Sequence, residues 1–176
     1  MRIAIVSDIH GNLDAFEQVL ADIDRSNIDE IISLGDNIGY GPQPDEVVEQ
    51  IQARRIDSVI GNHELAVNHP KYMSWFNPVA RQSLEKTIDL LSDRTLAYMA
   101  AQKPYLVKHG CRLVHGFPPD SALTYLFQIP VHRIQKEIGR LNEQICFVGH
   151  THMLEMISYD GQTCTRNSIG KGIITL

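Results

Sequence analysis

The sequence predicts an α/β fold built around a largely parallel sheet, and two observations carry that expectation. Short apolar runs, Arg2–Ser7, Glu30–Leu34 and Asp57–Ile60, alternate with longer stretches whose apolar residues recur at helical spacing. The resulting β-α-β-α-β order argues for parallel strands joined by right-handed crossovers. Each run also ends in a turn carrying Asp, Asn or His, at the carboxyl end where open α/β sheets place ligand sites. With 176 residues, 43% of them hydrophobic and 21% charged, the chain can build its own core, and a single domain over residues 1–176 is expected.

The first strand ends at Asp8-Ile9-His10-Gly11-Asn12. On an extended chain Asp8 and His10 would point to the same side. Asn12 caps a helix whose apolar face carries Leu13, Phe16, Val19, Leu20 and Ile23. The second strand ends at Gly35-Asp36, followed by a loop rich in glycine and proline up to Pro44. Pro42 and Pro44 suit a helix start, and Val47, Val48 and Ile51 continue at helical spacing to Arg54-Arg55. The third strand ends at Gly61-Asn62-His63-Glu64. Leu65 to Pro104 holds no strand-like run. Asn77-Pro78 opens one helix, with Val79, Leu84, Ile88 and Leu91 as its stripe, and Asp93 caps another through Tyr98 and Met99. This insert, 65–104, is expected either to cap the site or to form a helical side layer. Tyr72, Trp75, Phe76 and Arg81 are its candidates for meeting a substrate.

Beyond the insert, Tyr105–Lys108 and Cys111–His115 flank His109-Gly110 as a hairpin. Val131, Ile134, Ile138 and Leu141 line a further helix. Ile145–Val148 reads as a buried strand ending at Gly149-His150-Thr151-His152. Met153–Tyr159 and Gln162–Arg166 form a second hairpin about Asp160-Gly161, and Ile173–Leu176 is expected to close the chain as a short strand.

Composition excludes several classes. A net charge of −5 and the lack of any basic stretch argue against stable nucleic-acid binding. An acidic chain acting on anions needs bound cations to offset its own charge. Cys111, Cys146 and Cys164 are far apart and form no C-x-x-C pair, which suits a reducing cytosol and neither a zinc ribbon nor a redox dithiol. The chain enters its first strand at once and holds no membrane-length apolar run, so a cytoplasmic protein without membrane partners is expected.

Asp8, His10, Asp36, Asn62, His115, His150 and His152 are seven carboxylate, carboxamide and imidazole groups at successive strand ends. Divalent manganese, iron, zinc and nickel all accept such mixtures. Seven ligands exceed one ordinary site and suit two ions sharing a carboxylate; a single structural ion would leave a surplus. Two ions about 3.5–4 Å apart can hold a hydroxide and clamp both ends of a phosphoryl displacement. His69, His109 and His132 fall in loop, turn and helix-start contexts and read as exposed. Glu64 reads as a helix-start residue. No Gly-rich phosphate loop, nucleophile elbow or H-E-x-x-H pattern competes.

Asp8-x-His10, Gly35-Asp36, Gly61-Asn62-His63-Glu64, His115 before glycine and Gly149-His150-x-His152, in this order, resemble the calcineurin-like metallophosphoesterases, in particular a bacterial branch with a small helical cap. The resemblance implies a four-layer α-β-β-α sandwich of two mixed sheets flanked by helices. It implies two divalent metal ions, manganese first among the four. One ion would be held by Asp8, His10, Asp36 and His152, the other by Asp36, Asn62, His115 and His150, with Asp36 bridging. A hydroxide held by the metals would attack a small phosphate ester, mono- or diester, with Asn62 and His63 meeting the phosphate and His63 protonating the leaving oxygen. Dinucleoside polyphosphates are an alternative substrate. A protein-phosphatase activity fits less well: that branch carries an arginine soon after its Gly-Asp motif and another before Gly-Asn-His-Glu, where this chain has Asn37-Ile38-Gly39-Tyr40 and Val59-Ile60. That branch also orients its histidine with an aspartate at the position of Gly39. Some relatives keep the fold only as protein-interaction scaffolds, which makes a metal-binding scaffold the alternative of another class.

Overall fold

The computed structural model describes residues 1–168. The expected closing strand, Ile173–Leu176, lies outside the described residues. The first half is β1 (Ile3–Val6), α1 (Leu13–Arg25), β2 (Glu30–Ser33), α2 (Pro44–Ala53) and β3 (Asp57–Ser58). Its three strands form a parallel sheet in the order β1-β2-β3, as the crossover pattern requires. The third strand is two residues long, shorter than the apolar run Asp57–Ile60. Val59 pairs instead across an isolated bridge with Lys103, and Ile60 donates its N–H to the Lys103 carbonyl.

Four helical segments follow: α3 (Asn62–Asn68), a 3-10 turn (Pro70–Trp75), α4 (Pro78–Ile88) and α5 (Asp93–Ala100). Asn77 caps α4 by accepting the Ala80 N–H. The cap of α5 is Ser92, which accepts from Thr95, and not Asp93, which is the first helical residue. Val79 is 75% exposed and so stands off the buried stripe that its spacing suggested. Leu84, Ala66 and Met99 pack with Ile38 and with Val48 of α2 into one buried cluster.

The second half comprises β4 (Tyr105–Lys108), β5 (Cys111–Val114), α6 (Val131–Ile138), β6 (Ile145–Val148), β7 (Glu155–Tyr159) and β8 (Cys164–Ser168). β4 and β5 are the expected hairpin, and β6 joins β5 in parallel to give a mixed three-stranded sheet. β7 and β8 pair only with each other among the described residues, so the strands form three sheets, one of them wholly parallel, where two mixed sheets were expected. The two three-stranded sheets pack face to face through Ile32, Leu34, Val59 and Leu113, with Ile3, Ile5, Leu106 and Phe147 around them. Removing such side chains from water is the main favourable term in the fold. Phe16 and Leu20 of α1 pack against Val47 and Ile51 of α2 over the outer face of the parallel sheet, where Val6 and Ile31 meet them. No helix among the described residues is long and apolar enough to cross a membrane.

Candidate metal centre

The strand ladders carry the site residues past the strand ends. After β1 and β2, Asp8 donates its N–H to the Gly35 carbonyl, His10 to Asp36 and Gly11 to Asn37. This holds Asp8-Ile9-His10 beside Gly35-Asp36-Asn37. In the second sheet, Gly149 donates to the His115 carbonyl, which sets His150 beside His115. Asn62 and His63 open α3. The structure thereby brings together the seven ligand-type residues and His63. Asp8, His10 and His152 place ligand-type atoms within 4.8 Å of one another; so do His10, Asp36 and His63, and so do Asp36, His115 and His150. His69, His109 and His132 are exposed and stand apart.

Asp8 and His10 reach one place by a route the sequence did not show. Neither is extended: Asp8 has φ 56° and His10 φ 52°, with Asp36 at 52°, His150 at 65° and His152 at 53°. Left-handed backbone is rare for residues with a side chain and clusters at functional sites. Asp and His adopt it more readily than most residues, but still in a small minority of cases, so residue type alone does not mark it.

The imidazoles are held by carbonyls. His10 Nδ1 donates to the Ile38 carbonyl at 3.1 Å and His115 Nδ1 to the Leu34 carbonyl at 2.8 Å. With those tautomers, each Nε2 is left as a lone pair facing the centre, the arrangement that orients metal-ligating histidines. His115 Nε2 lies 3.3 Å from Asp36 Oδ2 and 3.0 Å from Asn62 Oδ1, and His10 Nε2 lies 3.3 Å from His152 Nε2. His150 donates from Nε2 to the Leu123 carbonyl at 3.3 Å, leaving Nδ1 free. Asp8 Oδ2 accepts from the Ser7 hydroxyl at 2.6 Å and the His150 N–H at 3.1 Å. Asp8 Oδ1 is buried, lies 3.2 Å from His152 Nε2, and makes no hydrogen bond among the described residues. Lone pairs that converge without donors between them are what a divalent cation satisfies, so the donor set fits one.

Charge behaves accordingly. Burial raises the Asp36 carboxyl, but the charges of His115, His63 and His10 and the His115 hydrogen bond outweigh it, and the group stays ionised. Burial opposes a charged His115, yet Asp36, with Asp8 and Glu64, pushes its pKa up to about 9. A proton there meets the acceptors that a metal would meet. Burial pulls His63 and His150 down to about 4.

Glu64 does more than its position suggested. It accepts the Gly61 N–H at 3.0 Å, as a helix-start residue does, and also the N–H groups of Asp36 at 3.0 Å, Asn37 at 2.7 Å and Ile38 at 3.4 Å. Fully buried, it ties the two loops that deliver Asp36 and His63. The signal was its place two residues after Asn62, where an N-terminal glutamate can reach back to free N–H groups. His63 N–H in turn donates to Asp36 Oδ1 at 2.9 Å. The His63 ring has Nδ1 buried with no partner among the described residues, and it packs edge-on to Phe76 at 5.0 Å and tilted to Tyr40 at 4.9 Å.

A cavity of about 460 Å³ opens over His10, Asp36, Asn62, His63, His150 and His152. Trp75 and Phe76 line it, as does Tyr125, which stacks on His150 at 3.6 Å and which the sequence did not mark. Tyr72 packs into the helical cluster, and Arg81 is turned to the Met73 carbonyl; neither lines the cavity.

Fold and site together define a phosphoesterase architecture. The chain belongs to the calcineurin-like phosphoesterase superfamily, whose domain model matches residues 1–167. It is 31% identical over 165 residues to an uncharacterized protein of Methanocaldococcus jannaschii, covering 90% of this chain and 65% of that protein. It is similar to the crystal structure of a metallophosphoesterase from Sphaerobacter thermophilus, with TM-score 0.73 and 36% identity over 88% of this chain and 62% of the other. A hypothetical protein from Pyrococcus horikoshii shares the fold, with TM-score 0.67 and 17% identity over 95% of this chain and 87% of that one. The chain thus spans somewhat under two thirds of the length of the first two.

Proposed function

We propose that the chain is a metal-dependent phosphoesterase that hydrolyses small phosphate mono- or diesters at a centre of two divalent ions. The observation that carries this is the position of Asp36, whose carboxylate belongs to two overlapping groups of ligand atoms, one reaching His10 and the other His115 and His150. Asp8, His10, Asp36 and His152 would hold one ion, and Asp36, Asn62, His115 and His150 the other. Manganese is the first choice, with iron, zinc or nickel accepted by the same donors. Bound there, the ions supply Lewis acidity and lower the pKa of water. The chain's own residues do the rest. The Ile38 and Leu34 carbonyls aim His10 and His115, and Glu64 fixes the loop of Asp36. The Asn62 carboxamide and His63 meet the phosphoryl oxygens; burial holds the His63 pKa at about 4 in the free chain, the negative charge of a bound phosphate would raise it, and the imidazolium so formed gives its proton to the departing oxygen. The segment 65–104 acts as a cap that shapes the cavity through Trp75 and Phe76. Three free cysteines support a cytoplasmic setting.

His63→Gln tests this reading, because Gln keeps a hydrogen-bond donor but delivers no proton at neutral pH. With metal content unchanged, the rate on alkyl phosphate esters is expected to fall by about 10²–10⁴-fold and the rate on nitrophenyl esters by less. Metals retained with no loss on either ester would turn the reading towards a scaffold.

A further inference from the structure

Two features of the cavity have no role in the chemistry above. The first is an exposed aromatic ring. Trp75 is 67% exposed at the cavity wall, and among the described residues its one ring neighbour is Tyr72, edge-on at 6.1 Å. Tyr125, by contrast, is already stacked on His150 and on Phe127, Phe76 stands edge-on to His63, and Tyr40, though half exposed, already meets the rings of His10 at 4.8 Å and His63 at 4.9 Å. Trp75 is therefore the ring with a face to offer. The second feature is charge. Among the described residues, no lysine or arginine lines this cavity or the adjoining hollow of about 510 Å³ past Tyr40 and His152, where Asp14 adds a negative charge. Two divalent ions against the carboxylates of Asp8 and Asp36 and one bound hydroxide would leave a surplus of one positive charge, which a single phosphate group takes up. A further phosphate would meet no cation, and an unmatched charge near a low-dielectric wall is costly.

We infer that the site selects esters carrying a single phosphate and a planar aromatic arm, a nucleoside or aryl phosphate, with the arm lying on Trp75, and that it discriminates against polyphosphates. This rests on the phosphoesterase reading and deepens it. Base–aromatic stacking is of a size that gives about 10-fold in affinity or more.

Phenylphosphonate and methylphosphonate, which are not hydrolysed and differ in the ring alone, provide the test. Trp75 is the chain's single tryptophan, so its fluorescence reports the ring directly. With the metal-loaded protein, phenylphosphonate is expected to quench the emission and to bind about 10-fold tighter than methylphosphonate by calorimetry. Trp75→Ala should remove that advantage and leave methylphosphonate binding as it was, while Trp75→Phe keeps most of it. Equal affinity for the two ligands, or an advantage that survives in Trp75→Ala, would overturn the assignment of the arm. For charge, kcat/KM for phenyl phosphate should exceed that for diadenosine tetraphosphate by at least about 10-fold, and the reverse order would overturn the single-phosphate limit. Ester hydrolysis without ring preference would sink this inference and spare the phosphoesterase reading. Ring-dependent binding without hydrolysis of any ester would do the opposite.

Discussion

Gly39 shows how closely single residues are fitted around the centre. Its φ is +92°, and a Cβ added there would collide with His63 Nδ1. The aspartate that orients the histidine in the protein-phosphatase branch therefore has no room here, and the buried Nδ1 has no partner among the described residues. Gly39→Ala is expected to displace the His63 ring and to cost about 1 kcal/mol or more from backbone strain alone. Activity should fall at least about 100-fold with metal content intact, as read by steady-state rates and elemental analysis; full activity would mean that the ring position is not critical. Asp36→Ala should instead strip metal from both positions, and Asn62→Ala should weaken one. Two full equivalents in the Asp36 variant would contradict the bridge. The seven ligand-type residues and His63 were legible in the sequence because residue type and strand-end position are one-dimensional signals. The left-handed backbone of Asp8, His10, Asp36, His150 and His152 was not, since Asp and His only lean towards a conformation that glycine alone adopts freely. Nor was Tyr125, an aromatic residue in a loop, whose role comes from a ring that is 25 residues away in the chain.

At the scale of elements, the hairpin turn between β4 and β5 is pinned to the parallel sheet by charge. Lys108 pairs with Glu30 of β2 and, at 2.6 Å, with Asp57 of β3, while His109 meets Glu30 at 2.7 Å. Hydrogen bonds from Lys108 and His109 lower the Glu30 pKa below its ordinary value of 4.5. A carboxylate with a depressed folded pKa contributes stability above its unfolded pKa and loses it as pH falls through the folded one. This contribution is therefore complete at neutral pH and fades below about pH 4.5. These groups are partly exposed, so Lys108→Ala should cost no more than about 1 kcal/mol. The deficit should shrink as the pH of a denaturant titration is lowered from 7 towards 3; a constant deficit would mean that Lys108 acts by packing. Alternating runs and caps made the helices and hairpins legible. The truncation of β3 was not, because Val59 answers to Lys103, a partner 44 residues on. That β7 and β8 pair only with each other among the described residues was equally out of view. Their packing is on Phe117 and Ile134 through Ile157 and Cys164, which sequence periodicity does not rank above sheet pairing.

Across the whole molecule, the candidate ligands divide between two sheets that are otherwise joined by an apolar interface and, at its edge, by the ion pairs of Lys108 and His109. Asp8, His10, Asp36 and Asn62 come from the parallel sheet and its helix, whereas His115, His150 and His152 come from the mixed sheet. Ions held at both positions would act as cross-links between the halves, available to the folded chain and largely lost to the unfolded one. Mass action then gives about 2.7 kcal/mol for each ion, about 5 kcal/mol for two, when free metal is 100 times its dissociation constant. For a domain of this size each kcal/mol is worth about 2–4 °C. Complete removal of metal by a chelator should accordingly lower the melting temperature by roughly 10–20 °C, and restoring Mn²⁺ should reverse it. In Asp36→Ala, which has lost the shared ligand, the chelator should shift the melting temperature little. A wild-type melting temperature that does not move after verified metal removal would mean that the apolar contact through Ile32, Leu34, Val59 and Leu113 holds the sheets together without help from the site.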